Sequence, residues 1–200
     1  MSAFTWPPDA SSAGLDRQQA DGQTQAAVLV PLFIAGTTPA PHVVLTKRRA
    51  DLRRHAGEIS FPGGRKDPGD ADLSATALRE AEEEIGLDRS QVRLLGTLPT
   101  TSTFATNYVI HPFVATIPAG TLWTLSAQEV DEVLELPLDA VRAAKTVTDI
   151  ERRGITFQTD AYILDSNVIW GATARILAHL FDALLPPDAE GNLSLANATP

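Results

Sequence analysis

Cysteine is absent from the 200-residue chain, which excludes disulfides, a thiolate nucleophile and any zinc site built on thiolates. Positive charge is scarce as well: 16 lysines and arginines stand against 25 aspartates and glutamates, for a formal net charge of -9. That balance argues against a general nucleic-acid binder, because phosphate backbones are held by clustered cationic side chains on a basic surface. An anionic small molecule would need a local basic patch or a metal ion instead. Long apolar runs are missing too, since no stretch approaches the roughly eighteen residues of a membrane-spanning helix. The opening MSAFTWPPDASSAGLDRQQADGQTQ has neither the basic nor the apolar region of a secretory signal. These absences lead to the expectation of a soluble cytoplasmic protein with no membrane partner.

What the chain does contain is ordinary for a globular domain, with 44% hydrophobic and 20% charged residues. Residues 1–25, rich in Ser, Asp, Gln, Ala and Pro, read as an N-terminal arm; a single domain follows over residues 26–186, and residues 187–200 form a C-terminal tail. AAVLVPLFI from Ala26 and HVVLTKR from His42 have the apolar density of short buried strands, expected to pair across a turn. GEISFPGG suggests a third strand ending at Gly63 and Gly64. QVRLLGTLPT and YVIHPFVATI read as two more strands. EVLELPLDAVRAA turns helical after Pro137, TFQTDAYILD returns to β-type alternation, and NVIWGATARILAHLFDALLP reads as a terminal helix that stops before Pro186. The pattern is that of an α/β or α+β sandwich.

The stretch EISFPGGRKDPGDADLSATALREAEEEIGL, Glu58 to Leu87, concentrates carboxylates behind a glycine pair. Residues 72–85 have helical spacing, and Gly86 is a plausible stop. Leu78, Ala81 and Ile85 are expected to hold the helix to a sheet, with Glu80, Glu83 and Glu84 on roughly the opposite side. Carboxylates packed so closely repel one another and invite a hard cation such as Mg²⁺, which favours oxygen ligands and sites completed by phosphates. Gly63 and Gly64 would let backbone groups approach a ligand, and Arg79 could orient a carboxylate through paired hydrogen bonds. Two rival motifs fail. Gly64 to Gly69 has the span of a phosphate-binding loop, but Asp70 follows where lysine is required; Asp67, Asp70 and Asp72 do not have the alternation of a calcium loop.

REAEEEIGL, Arg79 to Leu87, resembles the second half of the signature box of the Nudix hydrolase family at every specified position. In the first half Asp70 stands where the box has glutamate, and eight residues rather than seven separate it from Arg79. This variant is similar to the coenzyme A pyrophosphatase subgroup, whose boxes often carry an aspartate and one extra residue. The upstream LTKRRADLRRHAGEISFPGG agrees with that subgroup at Thr46, Arg48, Arg53, Gly57 and FPGG, and departs at Arg49, where a small residue is usual.

The resemblance implies the Nudix fold, a mixed β-sheet sandwiched between α-helices. It implies Mg²⁺- or Mn²⁺-dependent cleavage of coenzyme A or its thioesters to 3',5'-ADP and (acyl-)4'-phosphopantetheine. Alternatives are diphosphatase activity on another nucleoside diphosphate derivative, or a catalytically silent nucleotide sensor on the same fold. By the motif, Glu80, Glu83 and Glu84 would bind metal with the Gly64 carbonyl as an additional ligand, and Arg79 would hold the carboxylates in place. Glu129 and Glu132 are candidates for a distal base or ligand, against a reading as a solvated acidic run. Within the basic cluster Lys47, Arg48, Arg49, Arg53, Arg54 and His55, Lys47, Arg48 and Arg53 are the candidates for gripping substrate phosphate. His111 is expected to be structural. Phe104, Tyr108 and Trp170 could border the adenine or pantetheine, with core packing as the simpler account. A homodimer through the Nudix unit is compatible with the sequence.

Overall fold

The computed structural model describes residues 22–35, 40–49, 57–103, 107–152 and 154–184. The expectations for Arg53, Phe104 and the C-terminal tail, and for all but the last four residues of the N-terminal arm, fall outside them.

Eleven strands and three α-helices make up the described residues. β1 (Thr24–Ala35) and β2 (Ala40–Arg48) pair antiparallel as expected, and β1 also pairs in parallel with β7 (Tyr108–Thr116) along nine residues. β3 (Ile59–Ser60) joins the second half of β2, while β4 (Gly63–Arg65) joins the first half of β1. β5 (Arg93–Thr97) and β6 (Thr101–Ser102) extend the sheet beyond β7, and β8 (Val130–Pro137) covers the outer edge of β2. A second, three-stranded antiparallel sheet is built from β9 (Lys145–Arg152), β10 (Ile155–Leu164) and β11 (Asn167–Trp170).

The apolar run of β1 is explained by burial on both faces, which removes the polar alternation of a half-exposed strand. Ala27, Leu29 and Phe33 face one core with Val44, Phe113 and Ala115, and α1 (Leu73–Ile85) covers it through Ala77, Ala81 and Ile85. Val30 and Leu32 face the other, with Val43, Leu45 and Val114. That core is closed by α2 (Leu138–Ala143), α3 (Gly171–Ala183) and Tyr162 and Ile169 of the second sheet. The mixed sheet therefore lies between helices.

Three sequence expectations change. GEISFPGG is two short strands on different partners, not one. The terminal helix begins only at Gly171, because Asn167–Trp170 pairs with β10. β9 had no expected counterpart: KTVTDIER has its side chains mostly exposed and so lacks an apolar stripe to read. Among the described residues no helix is long and apolar enough to cross a membrane.

Candidate active site

Asp72 caps α1 by accepting the Ala75 N–H at 2.8 Å, and Gly86 ends it in the left-handed conformation at φ 69°. The helix is thereby fixed at both ends, and its inner residues set the depth of the carboxylates. Glu84 differs from the sequence expectation here. It lies three residues after Ala81, hence only about 60° from it around the helix, and its side chain is buried at 4% exposure rather than displayed to solvent. Glu80 is partly buried and Glu83 is exposed. The three glutamates thus form a gradient from interior to solvent.

Each carboxylate has a defined neighbour. Glu84 Oε2 accepts the Gly63 N–H at 3.2 Å, and Glu84 Oε1 lies 3.6 Å from the Arg48 guanidinium. Burial pushes its carboxyl up to about 8; the Gly63 N–H and Arg48 oppose the rise, while the charges of Glu80 and Glu129 add to it. Burial also raises Glu80, against the Arg79 guanidinium beside it. Arg79 contacts Glu80 at 3.0 Å and Glu83 at 2.9 Å.

Arg79 is itself held from behind. Asp70 takes it in a bidentate pair at 2.9 and 3.0 Å and also accepts from the Thr76 hydroxyl and the Asp67 N–H. With so many donors, led by Arg79, the Asp70 carboxyl is held far below the usual carboxylate range. The shorter side chain and the extra loop residue noted in the sequence are compatible with a complete ion pair.

Gly64 shows why the glycine pair is needed. A Cβ there would sit 2.5 Å from the Glu80 carboxyl carbon, well inside van der Waals contact, so the backbone of β4 lies directly against the carboxylate.

Among the described residues no three carboxylate or imidazole groups already converge as a metal site, since Glu80 and Glu83 are turned to Arg79. The donor set nevertheless suits a hard cation: two carboxylates pushed toward protonation, an exposed third on the same helix, and a close backbone approach at Gly64.

The remaining candidates divide. Glu129 lies 4.0 Å from Arg48 and raises both Glu80 and Glu84, so it belongs to the cluster. Glu132 lies within β8 and meets Lys47 at 3.9 Å; Lys47 also donates to Asn167 at 3.4 Å. Neither Glu132 nor Lys47 borders the cavity beside Gly63 and Gly64. His111 is buried, bonded through Nε2 to Gln25 at 2.7 Å, and burial lowers its pKa.

That cavity has a volume of about 650 Å³ and runs from Gly63, Gly64 and Arg48 to the second sheet and the start of α3. Tyr108 and Trp170 line it, together with Arg65, Arg152, Phe157 and Arg175, four residues that the sequence reading did not single out. Arg65 was within reach, one position after the glycine pair. The other three had no local signal, because strand pairing and helix packing bring them there from 88 to 111 residues beyond Gly64 in the chain.

Residues 23–156 match the family described as the NUDIX domain. The uncharacterized Nudix hydrolase NudL of Photorhabdus laumondii is 36% identical over 166 residues, covering 82% of this chain and 87% of that protein. NudL of Yersinia pestis strain Pestoides F is 39% identical over 158 residues, covering 78% and 77%. In fold, the chain resembles a MutT/nudix family protein from Enterococcus faecalis with a TM-score of 0.56 at 13% identity, over 82% of this chain and 63% of that one. It resembles the Nudix hydrolase RenU of M. smegmatis with a TM-score of 0.50 at 19% identity, over 60% and 74%. With the family match spanning more than half of its length and relatives 36% and 39% identical over about four fifths of it, the chain belongs to the Nudix hydrolase family.

Proposed function

We propose that the protein is a Mg²⁺- or Mn²⁺-dependent hydrolase that cuts the diphosphate of coenzyme A or its thioesters, releasing 3',5'-ADP and (acyl-)4'-phosphopantetheine. One observation carries this reading. Of the stretch that resembles the coenzyme A pyrophosphatase signature, Arg48, Glu58, Phe61, Gly63 and Gly64 line the cavity. The glycine pair on that cavity's edge adjoins the carboxylate helix, with Glu84 accepting the Gly63 N–H and Glu80 lying against Gly64.

Glu80, Glu83, Glu84 and the Gly64 carbonyl would hold the cation, which when bound draws charge from the diphosphate and acidifies water. The protein's own groups prepare that site. Asp70 fixes Arg79, and Arg79 restrains Glu80 and Glu83, so two flexible side chains are positioned before any ligand arrives. The Gly63 N–H fixes Glu84 Oε2. Arg48 positions Glu84 and Glu129 and, because it also lines the cavity, would meet substrate phosphate there. Glu129, at the edge of the cluster and half exposed, is the better placed of the two distal candidates to accept a proton from water.

The test is product analysis by chromatography after incubation with coenzyme A and Mg²⁺, Mn²⁺ or chelator. The expected result is 3',5'-ADP and phosphopantetheine only with metal. Cleavage of other nucleoside diphosphate derivatives while coenzyme A survives would reassign the substrate. Survival of every compound would favour a nucleotide sensor.

A further inference from the structure

Four of the chain's 13 arginines line the single cavity described above, against one glutamate, in a protein with a net charge of -9. Two of the four, Arg48 and Arg65, lie on the glycine-pair side. The other two, Arg152 and Arg175, come from the second sheet and α3.

The side formed by the second sheet and α3 is a constructed surface. In β10 the side chains of Phe157, Thr159 and Ala161 share one face, and the pairing register sets Arg152 of β9 opposite Ile155 and Trp170 of β11 opposite Ala161 on that same face. The Arg152 guanidinium lies over the Trp170 ring, 5.2 Å from its centroid, and Phe157 is tilted against Trp170 at 6.1 Å. Glu58, from the substrate-signature stretch, meets Arg152 at 3.2 Å. Arg175 is steadied by donating to the Ser102 carbonyl at 2.8 Å. Stacking and these polar contacts restrain two long side chains that would otherwise lose much freedom on binding. A guanidinium carries five N–H donors and can serve several partners at once. Phe157, Trp170 and Arg175 also lie beyond residue 156, where the family match ends.

We infer that Arg152 and Arg175, supported by Trp170 and Phe157, form a specificity wall that binds the part of the substrate remote from the scissile diphosphate, a planar nucleobase whose sugar carries a phosphomonoester. The inference deepens the coenzyme A reading and rests on it, because coenzyme A differs from most nucleoside diphosphate derivatives in that extra phosphate. An aromatic surface suits the base, and a guanidinium suits the monoester oxygens. The metal-bearing helix would then accept any diphosphate, and the second sheet would select among them.

The experiment compares wild type, Arg152→Ala, Arg152→Lys and Arg175→Ala on coenzyme A and on 3'-dephospho-coenzyme A. For the alanine variants kcat/KM on coenzyme A should fall about 10- to 100-fold, mainly through KM, with about twofold or less change on the dephospho compound. Arg152→Lys should recover part of the loss. Equal losses on both compounds, or none on either, would overturn the wall's role while leaving the coenzyme A reading intact. Binding without turnover separates the two ideas: calorimetry with adenosine 3',5'-bisphosphate against 5'-AMP should show a preference in wild type that Arg152→Ala removes. That preference, found in a protein that does not hydrolyse coenzyme A, would uphold the wall and sink the substrate. Its absence from wild type would overturn the wall.

Discussion

Thirteen consecutive residues of α1, together with the loop before it, supply the carboxylates, the arginine that restrains them and the aspartate that restrains the arginine. Across the cavity, Arg152, Phe157, Trp170 and Arg175 come from three strands and a helix, and no two of them are closer than five residues in the chain. The first region is a local device: its geometry follows from a helical repeat, a cap and a glycine pair. The second exists only once β9, β10 and β11 have paired. The difference teaches that two groups of charged side chains can be encoded at different ranges in one domain, so that each can be disturbed separately.

The largest effect is expected at the buried end of the helix. Glu84→Gln keeps the shape but removes a charge from the cluster, and turnover at saturating Mg²⁺ should drop about 1000-fold or more, read as kcat. A loss below tenfold would mean that Glu84 serves packing and not the metal.

Gly64→Ala should cost about 100-fold in kcat/KM, since a Cβ at 2.5 Å from the Glu80 carboxyl carbon must displace either the carboxylate or β4. Binding of adenosine 3',5'-bisphosphate to the remote wall should persist in this variant, and calorimetry checks that separation.

Asp70→Asn acts on stability. Replacing Asp70 removes the bidentate partner of Arg79, which keeps Glu80 and Glu83, and thermal or denaturant unfolding should show a loss of about 2 kcal/mol. Because the Asp70 carboxyl is depressed in the folded protein, its stabilisation is fully present above its ordinary value near 3.8 and is lost as pH falls below that. The variant should therefore differ least from wild type in strong acid.

The last effect is a slope in pH. Glu84 titrates higher in the folded, metal-free protein, about 8, than its ordinary 4.5. The folded state thus holds a proton that the unfolded state has released, and metal-free stability should fall as pH rises from about 4.5 to 8. A Tm series in chelator measures this. Glu84→Gln should flatten the slope, whereas Arg152→Ala should leave it in place.

Much of the fold could be read directly. The paired β1 and β2, the helix from Asp72 to Gly86 and the turn from strand to helix at Pro137 were legible because apolar period, capping residue and proline act within a few positions. Glu84 was misplaced for a specific reason: a charged side chain was assigned to the solvated face by type, although its angle puts it near Ala81. β9 was missed because its burial is slight, so no stripe marks it. The division between Glu129 and Glu132 was equally hidden, since only the pairing of β2 with β8 decides that one meets Arg48 and the other Lys47.

The sequence by itself determined the family, the carboxylate helix and the class of cation that such oxygen donors suit, because residues three and four apart on a helix must share a side. Tertiary structure alone decided how deep each carboxylate lies and which arginines line the cavity. Burial and cross-strand neighbours depend on what packs from elsewhere in the chain, and that information is absent from any local window.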